Sequence, residues 1–226
     1  MDQFTRCRYL ISDEKIEVLQ ASHVLVFGCG GVGSMVCEAL VRSGLGHISV
    51  VDYDVVDITN LNRQLIAYHS TIGLKKVIVM KERLLSINPN LIVETYDQFY
   101  DAQNMIELSQ YDYVVDAIDS VPSKILLMQE CEKSEVPLIM SLGTGNKLNP
   151  SQLLISDLYH TSICPLAKKV RTQAKALDLK NIKVVYSKEE PHKAVETKTI
   201  ASMMMVPGSA GLLIASEVIN DIIKGV

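Results

Sequence analysis

The segment from Gly28 to Gly33 carries the first chemical signal. Gly28-Cys29-Gly30-Gly31-Val32-Gly33 sets glycines at 28, 30 and 33. At the first position glycine permits a tight turn. At the second it lets backbone approach a phosphate with no Cβ in the way, and at the third it permits close packing of a helix on a strand. The run follows His23–Phe27, an apolar strand pattern, and precedes Val32, Val36, Ala39 and Leu40 at helical spacing. Free N–H groups at such a helix start face an anion. Asp52 closes the next strand pattern about 20 residues later, where an acid can hold ribose hydroxyls. Together these residues indicate an adenine nucleotide and leave NAD and ATP both open.

Residues 52–64, Asp52-Tyr53-Asp54-Val55-Val56-Asp57-Ile58-Thr59-Asn60-Leu61-Asn62-Arg63-Gln64, are dense in polar groups just beyond a strand end. Ligands bind outside the carboxyl ends of such strands. A helix N-terminus can largely satisfy a diphosphate. A triphosphate carries more charge and calls for cationic side chains and usually a metal. Arg63 and Lys76 could supply the cations, and Asp119 the metal ligand. Singly, each residue also has a structural reading. Asp54 and Asp57 could cap the next turn, Lys75 and Lys76 could be a solvated helix start, and Asp116 could be a satisfied carboxylate within a strand. As an ordered set they favour a nucleotide triphosphate.

The elements that must position these groups follow from periodicity. Strands are expected at 23–27, 47–52, 91–96, 111–117 and 138–142. Helices are expected from about 32 to Gly44, over 73–87, over 101–109 and over 122–134. This alternation means βαβ units and a Rossmann-like α/β fold with a mostly parallel, doubly wound sheet. After Gly143-Thr144-Gly145 the pattern changes. Strands at 152–155 and 182–186 flank a basic helix at 165–176, and a last helix spans about 209–224. The expected division is an adenylating domain with an N-terminal arm at 1–145 and a small α+β extension at 146–226, packed on the same body.

Composition narrows the class. Charged residues make up 21% and apolar ones 48% of the 226, as in an ordinary globular protein. The apolar stretch from Met203 to Ile219 is broken by Pro207, Gly208, Gly211 and Glu217, so it falls short of the ~20 apolar residues of a membrane span. The start of the chain is polar and is not a secretory signal. The five cysteines are scattered and form no CxxC pair. That argues against a disulfide framework or structural zinc and fits a reducing cytoplasm. The net charge is −4, yet residues 165–198 hold eight Lys and one Arg against four acids. A basic lobe of this kind could meet phosphates; charge alone favours a solvated helix face.

The order GxGGxG, DxD, NLNRQ, GLxK and DAID resembles the adenylating domain of the ubiquitin-activating enzyme superfamily over residues 4–145. The resemblance implies ATP and Mg²⁺. By position it places Gly28, Gly30, Gly31, Gly33 and Asp54 in the nucleotide site, and Asp52 on the ribose. It puts Asn60, Arg63 and Lys76 on phosphates, and Asp119 on Mg²⁺. Phe4-Thr5-Arg6 resembles an arm whose arginine reaches the partner subunit's ATP. Arg6 is therefore the candidate, with Arg8 beside it, and a homodimer is implied. DAIDSVPSK at 116–124, PLAKKVR at 165–171, VVYSKEEP at 184–191 and VPGSAGLLIASEVINDII at 206–223 extend the resemblance to the tRNA threonylcarbamoyladenosine dehydratases. That family's reaction is an ATP-dependent cyclisation of the threonylcarbamoyl group through an adenylated carboxylate. Intramolecular attack is already helped by proximity, so no enzyme nucleophile is needed. Lys168, Lys169, Arg171 and Lys175, with Lys180 and Lys183, become candidate tRNA contacts. A sulfur-relay protein partner is left open. Cys164 stands where relatives more often carry an acid; a free cysteine of this kind is more often inert.

Three other readings compete. One is a zinc-free adenylyltransferase for the C-terminus of a ubiquitin-like sulfur carrier, in which the basic segment is incidental. Another is an NAD-dependent oxidoreductase, which leaves NLNRQ, Lys76 and the N-terminal arginine unexplained. The third is a non-catalytic nucleotide-sensing module, against which the intact set of polar residues argues.

Overall fold

A computed structural model describes all residues except Lys193, Lys198 and Val226. Two short helices, α1 (Thr5–Ile11) and α2 (Asp13–Ala21), lead into β1 (His23–Phe27). Then follow α3 (Gly33–Arg42), β2 (His47–Val51), α4 (Lys76–Ile87), β3 (Ile92–Tyr96) and β4 (Tyr113–Asp116). The chain continues with α5 (Val121–Lys133), β5 (Leu138–Ser141), β6 (Leu153–Asp157), α6 (Pro165–Ala176), β7 (Lys183–Ser187) and α7 (Met205–Ile222).

One seven-stranded sheet runs in the order β3-β2-β1-β4-β5-β7-β6. Every pairing is parallel except that of β6 with β7. The α/β, doubly wound reading is thus what the chain adopts. Residues beyond 145 add β7 and β6 to the same sheet. β1 is buried along its whole length, as a parallel strand covered on both faces must be. Its Val24 and Val26 share a core with Val36 and Leu40 of α3 and Ile214 and Val218 of α7. Its Leu25 and Phe27 pack on the other face with Tyr100, Leu108 and Leu127.

Strand order reverses between β1 and β4, and this switch point opens a crevice at the carboxyl ends of the strands. A buried ion pair braces it. Lys124 Nζ of α5 lies 2.9 Å from Asp116 Oδ1 at the end of β4, and both side chains are fully buried. Lys124 Nζ also donates to the Ser141 carbonyl of β5 at 3.0 Å. Asp116 Oδ1 accepts from the Ile118 amide at 3.1 Å, which fixes the loop leading to Asp119. Asp116 is therefore structural. Burial pushes its carboxyl up, and Lys124 opposes that shift.

Two helix starts differ from the sequence expectation by three residues or more, and one helix is missing. Residues 101–109 form no helix. The Asp101 carboxylate takes the Gln103 and Asn104 amides at 3.0 Å each, and this local bonding competes with a helix. Ile106 and Leu108 are still buried, but from an irregular segment. The fourth helix begins at Lys76 and not at Gly73. Gly73 has φ +85°, and Lys75 is held in a bridge to Val55. The last helix begins earlier, at Met205, with Pro207 in its first turn, where a missing N–H does no harm.

Candidate active site

The glycine turn is built as its sequence demands. Gly28 has φ +93°, and a Cβ there would meet the Ala117 carbonyl oxygen at 2.8 Å. A Cβ on Gly33 would lie 1.8 Å from the Gly28 carbonyl oxygen, so only glycine lets α3 start this close to β1. Gly30 and Gly31 line the crevice itself, a cleft of about 640 Å³.

Asp52 sits just past β2 and is 9% exposed. Its Oδ2 accepts from the Cys29 amide at 2.7 Å and its Oδ1 from the Asp54 amide at 2.9 Å. The carboxylate thus locks the glycine turn onto the segment that follows, and it also lines the cleft. Burial pushes its carboxyl up, while Lys76 and the two amides pull it down.

Lys76 is the first residue of α4, and its side chain is only 7% exposed. Its Nζ lies 2.7 Å from Asp54 Oδ2. Lys76 is therefore not a solvated helix start, whereas Lys75 is, in an exposed pair with Asp97 at 3.1 Å. Asp57 proves to be a cap. It takes the Thr59 amide at 2.8 Å, and Asn60 Oδ1 takes the Asp57 amide at 3.1 Å. This capped turn over Ile58–Asn60 presents Asn60 and Arg63 to the cleft.

Arg63 Nη1 donates to the Thr59 carbonyl at 2.7 Å and to Asn62 Oδ1 at 2.9 Å. Among the described residues no carboxylate pairs with it. Asp119 is exposed, lines the same cleft, and makes no hydrogen bond or ion pair among the described residues. The cleft thus offers Arg63 as a cation with no acid partner and Asp119 as a carboxylate with no partner among the described residues, beside Lys76, a buried cation paired with Asp54.

Several lining residues lie beyond what spacing suggests. Gln64 is 8% exposed, and its Oε1 is buried without a partner. Tyr53 and Phe99 pack edge to face, with ring centroids 5.1 Å apart, on the Asp52 side. At the far end lie Gly143–Lys147, Cys164 and Ile200. Residues 201 and 202 tie the walls together. Ala201 donates to Asn146 Oδ1 at 2.8 Å, and Asn62 Nδ2 donates to the Ser202 carbonyl at 2.7 Å. Glu189 is a brace, accepting from the Leu148 and Asn149 amides and lying 2.9 Å from His192 Nε2. Only NLNRQ hinted at Gln64; the partners of Asn146 lie too far along the chain for any local pattern.

The candidate arginines of the arm and the basic residues of α6 and beyond lie outside the cleft. Arg6 is exposed on α1, pairs with no acid among the described residues, and does not line its own chain's cleft. Arg8 is committed to Asp2 at 2.6 Å and Asp13 at 2.9 Å. The start of α6, at Cys164, Pro165 and Leu166, forms part of the cleft rim. Beyond it Lys168, Lys169 and Lys175 are exposed. Arg171 is tied to Thr161, Lys180 pairs with Asp178 at 3.0 Å, and Lys183 is held by Glu217 and Asp221. Cys164 is 4% exposed and its sulfur accepts from the Ala167 amide at 3.3 Å, so it caps α6.

This arrangement is similar to that of known proteins along the whole chain. The model of the ThiF family matches residues 5–225. The tRNA threonylcarbamoyladenosine dehydratase of Bacillus subtilis is 41% identical over 245 aligned positions, covering 100% of this chain and 96% of that protein. Crystal structures of the E. coli tRNA N6-threonylcarbamoyladenosine dehydratase in complex with AMP and with ATP superpose with TM-scores of 0.93 and 0.92. Each is 32% identical and is matched over 99% of this chain and 94% of its own. The sheet and the helices around it thus belong to a shared architecture, and this chain is a member of the ThiF family.

Proposed function

We propose that this chain is an ATP-dependent tRNA threonylcarbamoyladenosine dehydratase. The observation that carries the reading is the 41% identity along the whole chain to a dehydratase of that name. The cleft suits the chemistry. ATP would lie with its phosphates on Gly30 and Gly31 and its ribose at Asp52. Asn60, Arg63 and Lys76 would hold the phosphates. A carboxylate oxygen of the modified nucleoside attacks the α-phosphorus, and pyrophosphate leaves. A nitrogen of the same modification then attacks the activated carbonyl, AMP leaves, and the nitrogen's proton goes to solvent. The net change is a ring closed with loss of water. Arg63 and Lys76 stabilise the charge that builds on the phosphates.

Asp119 fits a Mg²⁺ ligand, being an oxygen donor in the cleft with no other partner among the described residues. A cation held there would neutralise phosphate charge and orient the leaving pyrophosphate.

Arg6 would enter the active site of a second copy, which makes the working unit a homodimer. Lys168, Lys169 and Lys175 would meet tRNA phosphates as α6 leads away from the cleft rim. A cytoplasmic location goes with this reading, in keeping with five scattered cysteines that form no CxxC pair. The test is product accounting. With tRNA carrying the modification, AMP and pyrophosphate should form one to one, and neither should form with unmodified tRNA. Nucleotide turnover that ignores the modification, but responds to the C-terminus of a small carrier protein, would move the substrate to a protein.

A further inference from the structure

The amino ends of the strands, opposite the nucleotide cleft, carry a second cluster of chemically capable side chains. His23 and His47 are the first residues of β1 and β2 and are paired in register. Glu94 sits on β3 beside Ser49 of β2. The two imidazoles stack, with ring centroids 3.3 Å apart and planes within 8°. His47 Nε2 lies 3.5 Å from Glu94 Oε1. One ligand atom from each of the three residues falls within 4.8 Å of the other two.

Packing alone leaves one nitrogen of this cluster unsatisfied. His47 Nε2 is buried and has no hydrogen-bond partner, a condition that is rare and costly in a folded protein. The groups around it are already oriented. His23 Nε2 is 2.8 Å from Ser49 Oγ. Glu94 Oε2 accepts from Ser49 Oγ at 3.1 Å and from Tyr96 Oη at 3.2 Å, which leaves Oε1 directed at His47. Tyr111 packs edge-on against His23, with ring centroids 4.4 Å apart. Asp112 is engaged by the His23 amide at 2.7 Å and is not a fourth ligand. Two imidazoles and one carboxylate, with hydroxyls bonded to the carboxylate, are a donor set suited to zinc with an open position.

We propose that His23, His47 and Glu94 form a binding site for a divalent transition-metal cation of the zinc type. The site clips β1, β2 and β3 together at the end of the sheet remote from the nucleotide. Glu94 is half exposed and gives the cation a route in from solvent. A cation bound only by the folded chain stabilises it by mass action, so this site raises the thermal midpoint and takes no part in adenylation.

The test uses untagged protein, stripped with a chelator, dialysed and titrated with Zn²⁺ near neutral pH without nucleotide. Bound zinc is counted by elemental analysis, and melting is followed by circular dichroism. The expected result is one zinc per chain that raises the melting temperature and is lost in His47→Ala. Glu94→Gln changes a half-exposed side chain and so keeps the fold; it should weaken binding about 10-fold or more. Failure to bind zinc, or bound zinc that survives both substitutions, overturns the proposal.

Discussion

Arg63 is the residue on which the adenylation account leans most. It lies in the cleft with no carboxylate beside it among the described residues, so its charge is available to an anion. Arg63→Ala should lower adenylation by about 100- to 1,000-fold, the range seen when one preorganised transition-state donor is removed. The far-ultraviolet spectrum should not change, because the two hydrogen bonds removed lie at an exposed turn. Wild-type pyrophosphate exchange in that variant would remove the residue from the mechanism. Gly33→Ala tests the turn itself. A methyl 1.8 Å from the Gly28 carbonyl must push α3 away from β1, so nucleotide binding should fall together with stability; unchanged ATP affinity by calorimetry would contradict that. Residues of this kind were legible because their constraints are local. A glycine turn and the Asp52-to-Gln64 run show their purpose within a few positions. Lys76 was legible as a cation but not as the buried partner of Asp54, 22 positions away. Asn146, Lys147 and Ile200 were not legible, because only the folded chain brings them to the cleft.

At the scale of elements, polar pairs decide how the sheet end and the last helix are held. Lys124 and Asp116 join α5, β4 and β5 without solvent. Lys124→Met strands a buried carboxylate and should cost about 3–5 kcal/mol in urea unfolding. A loss below about 1 kcal/mol would mean that Asp116 protonates without penalty. The last helix is fastened by Asp221, which accepts from Tyr113 Oη at 2.8 Å and pairs with Lys183. Burial pushes the Asp221 carboxyl up, but the bonds from Lys183, Lys224 and Tyr113 outweigh it and hold it below its ordinary 3.8. A lowered folded value means the stabilisation is full above the unfolded value and fades as pH falls through the folded one. Asp221→Asn should therefore lower the melting temperature at neutral pH, and the gap to wild type should close below about pH 3.8. A gap that persists in acid would point to packing and not charge. Periodicity found all seven strands: the central parallel strands β1, β2, β4 and β5 are buried and leave plain apolar runs, while the partly buried β3 and β6 show shorter ones. It failed at 101–109, where Ile106 and Leu108 mimic helical spacing while the Asp101 side chain captures the amides a helix would need.

At the scale of the whole molecule, the reading joins one cleft, one exposed arm and one basic helix. No described helix is long and apolar enough to cross a membrane. If Arg6 works in a partner's cleft, Arg6→Ala and Arg63→Ala proteins should each be inactive alone and should regain activity when mixed, since one mixed site keeps both arginines. Absence of recovery, with mixed dimers verified, would place Arg6 outside the reaction. If Lys168, Lys169 and Lys175 meet tRNA, replacing all three by Ala should weaken binding and flatten its salt dependence, by roughly 0.7–0.9 in log–log slope for each phosphate no longer neutralised. The sequence could not separate these exposed lysines from Arg171 and Lys183, which are engaged by Thr161 and by the Glu217–Asp221 pair. The central claim is best met by mass spectrometry of nucleosides from tRNA that carries threonylcarbamoyladenosine, after incubation with this protein and Mg-ATP. The account predicts that the nucleoside loses one water, only when ATP is present and not with Arg63→Ala. An unchanged nucleoside, under conditions where the protein still activates a carboxylate with ATP, would contradict it.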